Sequence, residues 1–305
     1  MAEVSKRTTI SQTYKRTKEK RSFHLSLMVN DYKQFWSSGS DNPILYVNGD
    51  SFTWGSGIGN LFAHPKINFK EFDDSRLHKT WPGVLAKSLK WKFINDSWAG
   101  GSNRRIIRRT KKFFKEIQDC QKVKVIISWS TAVRIEYARP KQAIDIEVPY
   151  IIQGRTGPYD IDGDTTYVQI QESGLNSPLD PFYQGDKDYQ KEFYLANSDA
   201  DLFVQYLEDI INLQDFLKER NIDYIFFNAF GNKELYKDNV QDTRIYPLLD
   251  KIDFDRFMGW PEEDFCVWAY MRDPKDILPD GHLGVASHKH LAVLLKDKMK
   301  ELSYV

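Results

Sequence analysis

Cysteine is nearly absent from this sequence: Cys120 and Cys266 are the only two in 305 residues. They stand far apart, without the paired spacing of a metal site. That excludes a disulfide framework or a zinc ribbon as the source of stability and points to reduced thiols. Excess charge of either sign is absent too, with Lys and Arg at 43 and Asp and Glu at 43. The balance gives no argument for nucleic acid, a membrane surface or an acidic substrate. No apolar run approaches the roughly 18 residues of a membrane-spanning helix, and the polar first residues carry no visible secretory leader. The expectation is a cytoplasmic protein without a membrane partner. What the chain does have is a hydrophobic share of 41% and an aromatic share of 14%. That is enough for one large α/β domain with insertions, or two modest domains.

Four apolar runs read as core strands: Ile44–Asn48, Trp91–Asn95, Val123–Trp129 and Tyr224–Ala229. Unbroken runs suit strands covered on both faces. Helical patterns lie between and after them, over Trp81–Leu89, Asn103–Ile117, Leu202–Leu217 and Val285–Leu302. Strands alternating with helices predict a doubly wound parallel sheet. Two regions break the rhythm. Residues 1–22 form a polar, basic N-terminal arm, which keeps a nucleic-acid contact open although the rest of the chain argues against one. Residues 138–200 are rich in Gly, Pro, Asp and Tyr. They form an inserted, cap-like segment within the domain of residues 23–305, expected to fold over the carboxyl edge of the sheet.

The first strand ends abruptly at Gly49-Asp50-Ser51. In an open α/β sheet, ligands bind just beyond the carboxyl ends of the strands, and a serine there can act as a nucleophile if a base reaches it. Three further segments converge on the same edge. Asn95-Asp-Ser-Trp-Ala-Gly-Gly-Ser-Asn103 follows the second strand; its glycines allow close backbone approach, and helix-start N–H groups suit a developing oxyanion. Ser128-Trp-Ser-Thr-Ala-Val-Arg-Ile-Glu136 follows the third. Asp280-Gly-His282 precedes the closing helix.

These blocks resemble those of the SGNH, or GDSL-like, hydrolase superfamily, and look most like its phage-type members. The resemblance covers roughly residues 43–135 and 220–298. It implies a flavodoxin-like sheet and a serine hydrolase site, with Ser51 as nucleophile, His282 as base and Asp280 orienting it. The Asn95-to-Gly100 spacing matches the second block and implies the Gly100 amide as an oxyanion donor. In the third block Ser130 stands where the superfamily has asparagine, with Asn103 as a substitute donor. The last block is shortened, Asp-x-His instead of Asp-x-x-His. His288 and His290 follow on a helical stretch and are expected on its surface. Arg134 and Glu136 are candidate substrate contacts, or an ion pair with each other.

The function implied is a serine esterase or deacetylase that hydrolyses an ester of a sugar or other small polar molecule, without cofactor or metal. The altered blocks keep open a non-catalytic binding or structural module on the same fold, such as a phage protein of the host cytoplasm or virion. An acyltransferase using the same serine is a third reading. Gly55-Ser-Gly-Ile-Gly59 lacks both the third glycine spacing and the distal acid of a dinucleotide loop. Asp160-Ile-Asp-Gly-Asp164 starts like a calcium loop, but Thr165 and Gln171 occupy its required Gly and Glu positions.

Overall fold

A computed structural model of the chain describes residues 43–58, 74–117, 120–140, 159–162, 165–170, 184–231, 241–260, 266–267, 275–278 and 281–305. The N-terminal arm of residues 1–22 lies outside the described residues. The core is a sheet of β1 (Ile44–Asn48), β2 (Lys92–Asn95), β3 (Val123–Trp129), β7 (Asp223–Asn228) and the two-residue β8 (Phe257–Met258). Its order is β2-β1-β3-β7-β8 and every pairing is parallel. This is the doubly wound, flavodoxin-like sheet that the alternation of strands and helices predicts, with β8 added at one edge. The strand order reverses between β1 and β3, since β2 lies on one side of β1 and β3 on the other; in such sheets ligands bind beyond the carboxyl ends at this switch point.

The period of two along the strands sorts their side chains onto two faces. Tyr46, Val125, Ile127, Tyr224 and Phe226 pack with helices α3 (Asn103–Glu116) and α5 (Asp199–Lys218). Leu45, Val47, Ile126, Ile225 and Phe227 pack with α2 (Trp81–Leu89) and α7 (Val285–Glu301). Each such side chain taken from water contributes about 1.5–3 kcal/mol. Caps fix the helix starts. The Ser102 hydroxyl accepts from the Arg105 amide at 3.2 Å to open α3. Ser198 and Asp201 form a reciprocal capping box at the start of α5.

The inserted region has regular structure of its own, which the sequence reading did not assign. β4 (Ile135–Pro140), β5 (Tyr159–Asp162) and β6 (Thr165–Ile170) form an antiparallel sheet of order β4-β6-β5. Helix α4 (Gln184–Ala196) follows, and the one-turn α6 (Tyr246–Leu249) comes after β7. Ile135, Val168 and Ile170 make a small core with Tyr137 and Phe193. The unit starts at Ile135, three residues before the expected boundary. β4 and β6 bury polar Glu136 and Gln169 among their apolar residues, so they lack the apolar runs that marked β1, β3 and β7. Residues 163–164, within the stretch likened to a calcium loop, lie outside the described residues.

A second departure concerns His288, expected on the surface of the closing helix. It is buried, at 1% exposure. Its Nδ1 accepts the Trp81 amide at 3.2 Å and so caps the first turn of α2. His290 is exposed, as expected.

Candidate functional site at the carboxyl edge

The turn after β1 is possible because Gly49 has no side chain. A Cβ there would lie 2.6 Å from Thr53 Oγ1 and 2.8 Å from Ser128 Cβ. The chain therefore passes tightly against β3. The preceding Asn48 anchors the turn: its Oδ1 accepts the Gly49 amide at 2.8 Å, and its Nδ2 reaches the Ile106 carbonyl of α3 at 3.1 Å. Asp50 then caps the one-turn helix α1 (Ser51–Trp54), accepting the Phe52 amide at 3.1 Å. Ser51 is the first residue of that turn, at 6% exposure.

Asp50 is fully buried, and burial pushes its carboxyl above the ordinary range. Four groups pull it back: the Arg134 guanidinium, the Phe52 amide, His282 and Ser130. Arg134 Nη1 lies 3.0 Å from Asp50 Oδ2 and also donates to Ser130 Oγ at 3.0 Å. The Ser130 hydroxyl in turn donates to Asp50 at 3.4 Å. Arg134 is therefore paired with Asp50, not with Glu136.

His282 comes to this place from the far end of the chain. Leu278 and Gly281 close a tight turn, with the Gly281 amide on the Leu278 carbonyl at 2.9 Å and the Leu278 amide on the His282 carbonyl at 2.8 Å. Ile277 and Leu283 bridge as an antiparallel pair. Asp276 then accepts the Ser287 amide at 2.6 Å, which ties this hairpin to the first turn of α7. The His282 ring lies 5.2 Å from the ring of Phe52, the residue after Ser51. Phe52 meets Phe230 at 5.0 Å, and Arg134 Cζ lies 4.7 Å over the Phe230 ring. His282, Phe52, Phe230 and Arg134 thus form one row of contacts beside the serine turn. Asp280, the expected orienting acid, lies outside the described residues.

The loop after β2 is bound to the same turn. The Asp96 amide donates to the Val47 carbonyl at 2.9 Å and the Trp98 amide to the Gly49 carbonyl at 3.0 Å. Asn95 Nδ2 reaches the Thr53 carbonyl of α1 at 3.1 Å. Gly100 sits at φ +80°, a left-handed conformation that strains other residues. Among the described residues its amide makes no backbone hydrogen bond.

Two other candidates have structural partners. Asn103 accepts the Ser130 amide at 2.9 Å and turns its Nδ2 to the Ser130 and Thr131 carbonyls, both at 3.3 Å. It clamps the loop after β3 and does not hold out the substitute donor read from the sequence. Glu136 is buried and takes both oxygens to Arg108, at 2.8 and 2.9 Å, with Gln169 as a further donor. The Gln169 side-chain oxygen accepts the Ser102 amide at 3.0 Å, so this network fastens the small sheet to the start of α3. In sequence Glu136 is a candidate substrate contact or partner of Arg134; both of its oxygens are held by Arg108.

Sequence reasoning missed the support beneath the turn. Arg109 meets Asp96 at 3.0 Å, and the Tyr46 hydroxyl donates to the same carboxylate at 3.0 Å. Phe230 was missed too; its one signal is its place just past the carboxyl end of β7. Elsewhere, an open groove of about 510 Å³ is lined by Lys111, Asp215, Phe216 and Leu248 among others, and none of the candidate residues line it. Among the described residues, no helix is long and apolar enough to cross a membrane.

A model described as a family of unknown function (DUF6071) matches residues 66–300. The chain belongs to that family. No curated protein sequence matches this DUF6071 chain. Among solved structures it is similar to the psychrotrophic esterase EstA from Pseudoalteromonas, at 10% identity and TM-score 0.42, over 87% of this chain and 100% of that one. It is similar to a carbohydrate esterase family 2 enzyme with a carbohydrate-binding domain from Corynascus thermopiles, at 13% identity and TM-score 0.41, over 88% and 68%. A GDSL-like lipase from Bacteroides thetaiotaomicron matches at 10% identity and TM-score 0.40, over 89% and 96%. At such distances these structures say nothing about the chemistry of this chain.

Proposed function

We propose that this DUF6071 protein is a serine esterase or deacetylase acting on a small polar or carbohydrate ester. The observation that carries the reading is convergence at the switch point. The Gly49-Asp50-Ser51 turn leaves β1 there, and His282 arrives beside it, one ring contact from Ser51's neighbour Phe52. In this reading Ser51 Oγ attacks the ester carbonyl and His282 takes its proton. The tetrahedral oxyanion is met by the Gly100 amide, for which the described backbone offers no other acceptor. The same proton passes to the departing alcohol, and water then hydrolyses the acyl-enzyme by the reverse sequence of transfers. Asp280 has the role of holding the imidazole tautomer. The small sheet and α4 serve as a cap. That role is supported by their attachment to Ser102 and by the hydrogen bond from Tyr194 to the Val133 carbonyl, in the loop that carries Arg134.

The Ser130 hydroxyl is the observation favouring the second reading, a non-catalytic binding module. It stands in the asparagine position of the third block and is engaged with Asp50 and Arg134. Labelling with a fluorophosphonate probe separates the two readings. A hydrolase labels in the wild type and fails to label as Ser51→Ala. Absence of labelling in the folded wild type would leave the binding module.

A further inference from the structure

We propose that Arg134 reads a carboxylate on the substrate, so that the preferred ester carries a negative charge a few bonds from its carbonyl. This rests on the hydrolase reading above and names its substrate class. A guanidinium has five N–H donors in a rigid fork. In Arg134 only Nη1 is used, holding Asp50 and Ser130. Among the described residues no acceptor meets Nε–H or the Nη2 group. Those two nitrogens form the side-on edge that matches both oxygens of a carboxylate. The side chain keeps 13% exposure while Asp50 is fully buried. It is held in two ways: Asp50 fixes Nη1, and the Phe230 ring covers one face, with Cζ 4.7 Å from its centre.

The position fits a substrate contact. Asp50 is the residue before Ser51, and the row Arg134–Phe230–Phe52–His282 passes the same turn. A carboxylate is favoured over a phosphate because a dianion calls for a second cation. Among the described residues, Arg105 and Arg109 of α3 are directed to the Asp96 carbonyl and carboxylate, at 3.0 Å each. Glu136, two residues along, is taken by Arg108 and does not compete for Arg134.

The test compares kcat/KM for two esters with one leaving group, p-nitrophenyl hemisuccinate and p-nitrophenyl acetate. The wild type is expected to prefer the hemisuccinate. Arg134→Lys keeps a cation for Asp50 but loses the side-on fork, and should lower the hemisuccinate-to-acetate ratio about tenfold, mainly through KM. Removing the arginine alone would strand a buried carboxylate, so Asp50→Asn with Arg134→Met is the second variant, and it should abolish the preference. An equal ratio in wild type and both variants overturns the proposal, as does stronger competition by inorganic phosphate than by monomethyl succinate. Fluorophosphonate labelling of the same samples keeps the two readings apart. If the wild type does not label, the hydrolase reading falls, and calorimetric binding of monomethyl succinate decides the anion site: binding lost in Arg134→Lys sustains it, and no binding by the wild type ends it.

Discussion

Arg134 and Arg108 both answer a buried carboxylate, yet they use their guanidinium groups differently. Arg108 gives Nε and Nη2 to the two oxygens of Glu136, and its plane lies 3.5 Å from the Tyr167 ring centre. That fork is spent on joining the small sheet to α3. Arg134 gives only Nη1, to Asp50 and Ser130, and among the described residues its Nε and Nη2 meet no acceptor. A buried ion pair is weak evidence of stability on its own account, since desolvation offsets much of the attraction. Its use is read from what the pair leaves over. The small-sheet pair leaves its carboxylate saturated and fastens two units. The Asp50 pair leaves two guanidinium nitrogens without an acceptor among the described residues.

Substitutions can break or sharpen this contrast. The largest effect is expected on the crevice side. His282→Ala should lower turnover of p-nitrophenyl acetate about 10³-fold, while urea unfolding shifts by less than about 1 kcal/mol; equal turnover would remove His282 from the chemistry. On the other side, Glu136→Ala should cost about 3–5 kcal/mol of stability, because Arg108 is left without its carboxylate. The hemisuccinate-to-acetate ratio should stay as in the wild type, and a changed ratio would mean that the two arginines do not act separately.

Asp209 supplies a third case, a carboxylate with no arginine in ion-pair contact among the described residues. Its nearest cations are engaged elsewhere, Arg104 with Gln205 and Lys111 with Asn212. Burial pushes its carboxyl up to about 7. A carboxyl raised in the folded state supports folding while protonated; that support is whole below 3.8 and is lost as pH rises through about 7. Asp209→Asn should therefore stabilise at pH 8 by roughly 2 kcal/mol, about half the full shift because the residue is partly exposed. The gain should vanish near pH 4, and a gain that is independent of pH would sink the account. The smallest effect is Gly100→Ala. A Cβ there meets nothing within 4 Å, so only the +80° φ opposes it, at about 1–2 kcal/mol. Turnover should fall further than that figure alone implies, since the donor amide would tilt.

The main sheet was legible because its strands are covered on both faces. Ile44–Asn48 and Val123–Trp129 agree with the expected spans residue for residue, and the edge strand β2 differs at one end only. The small sheet was not legible. Glu136 and Gln169 are buried on its inner side, and only partners distant in sequence make a buried charge affordable. The same reason hid Asp96 and Arg109. In helix α3, Arg105 and Arg109 are buried under Trp98 and beside Asp96. Of the candidate site, the serine turn and the loop after β2 followed from motif spacing. The partner of Arg134 did not, because an ion pair to Asp50 spans 84 positions and leaves no local pattern.

The hairpin that carries His282 hangs from α7 through Asp276, and α7 is fastened to α2 by the bond between His288 and the Trp81 amide. Leu283, beside the histidine, is buried in the same core as Leu45, Val47 and Ile225. The histidine and the serine are thus two fittings on one chassis. In the hydrolase reading, activity and the circular dichroism of the parallel sheet should be lost together on warming.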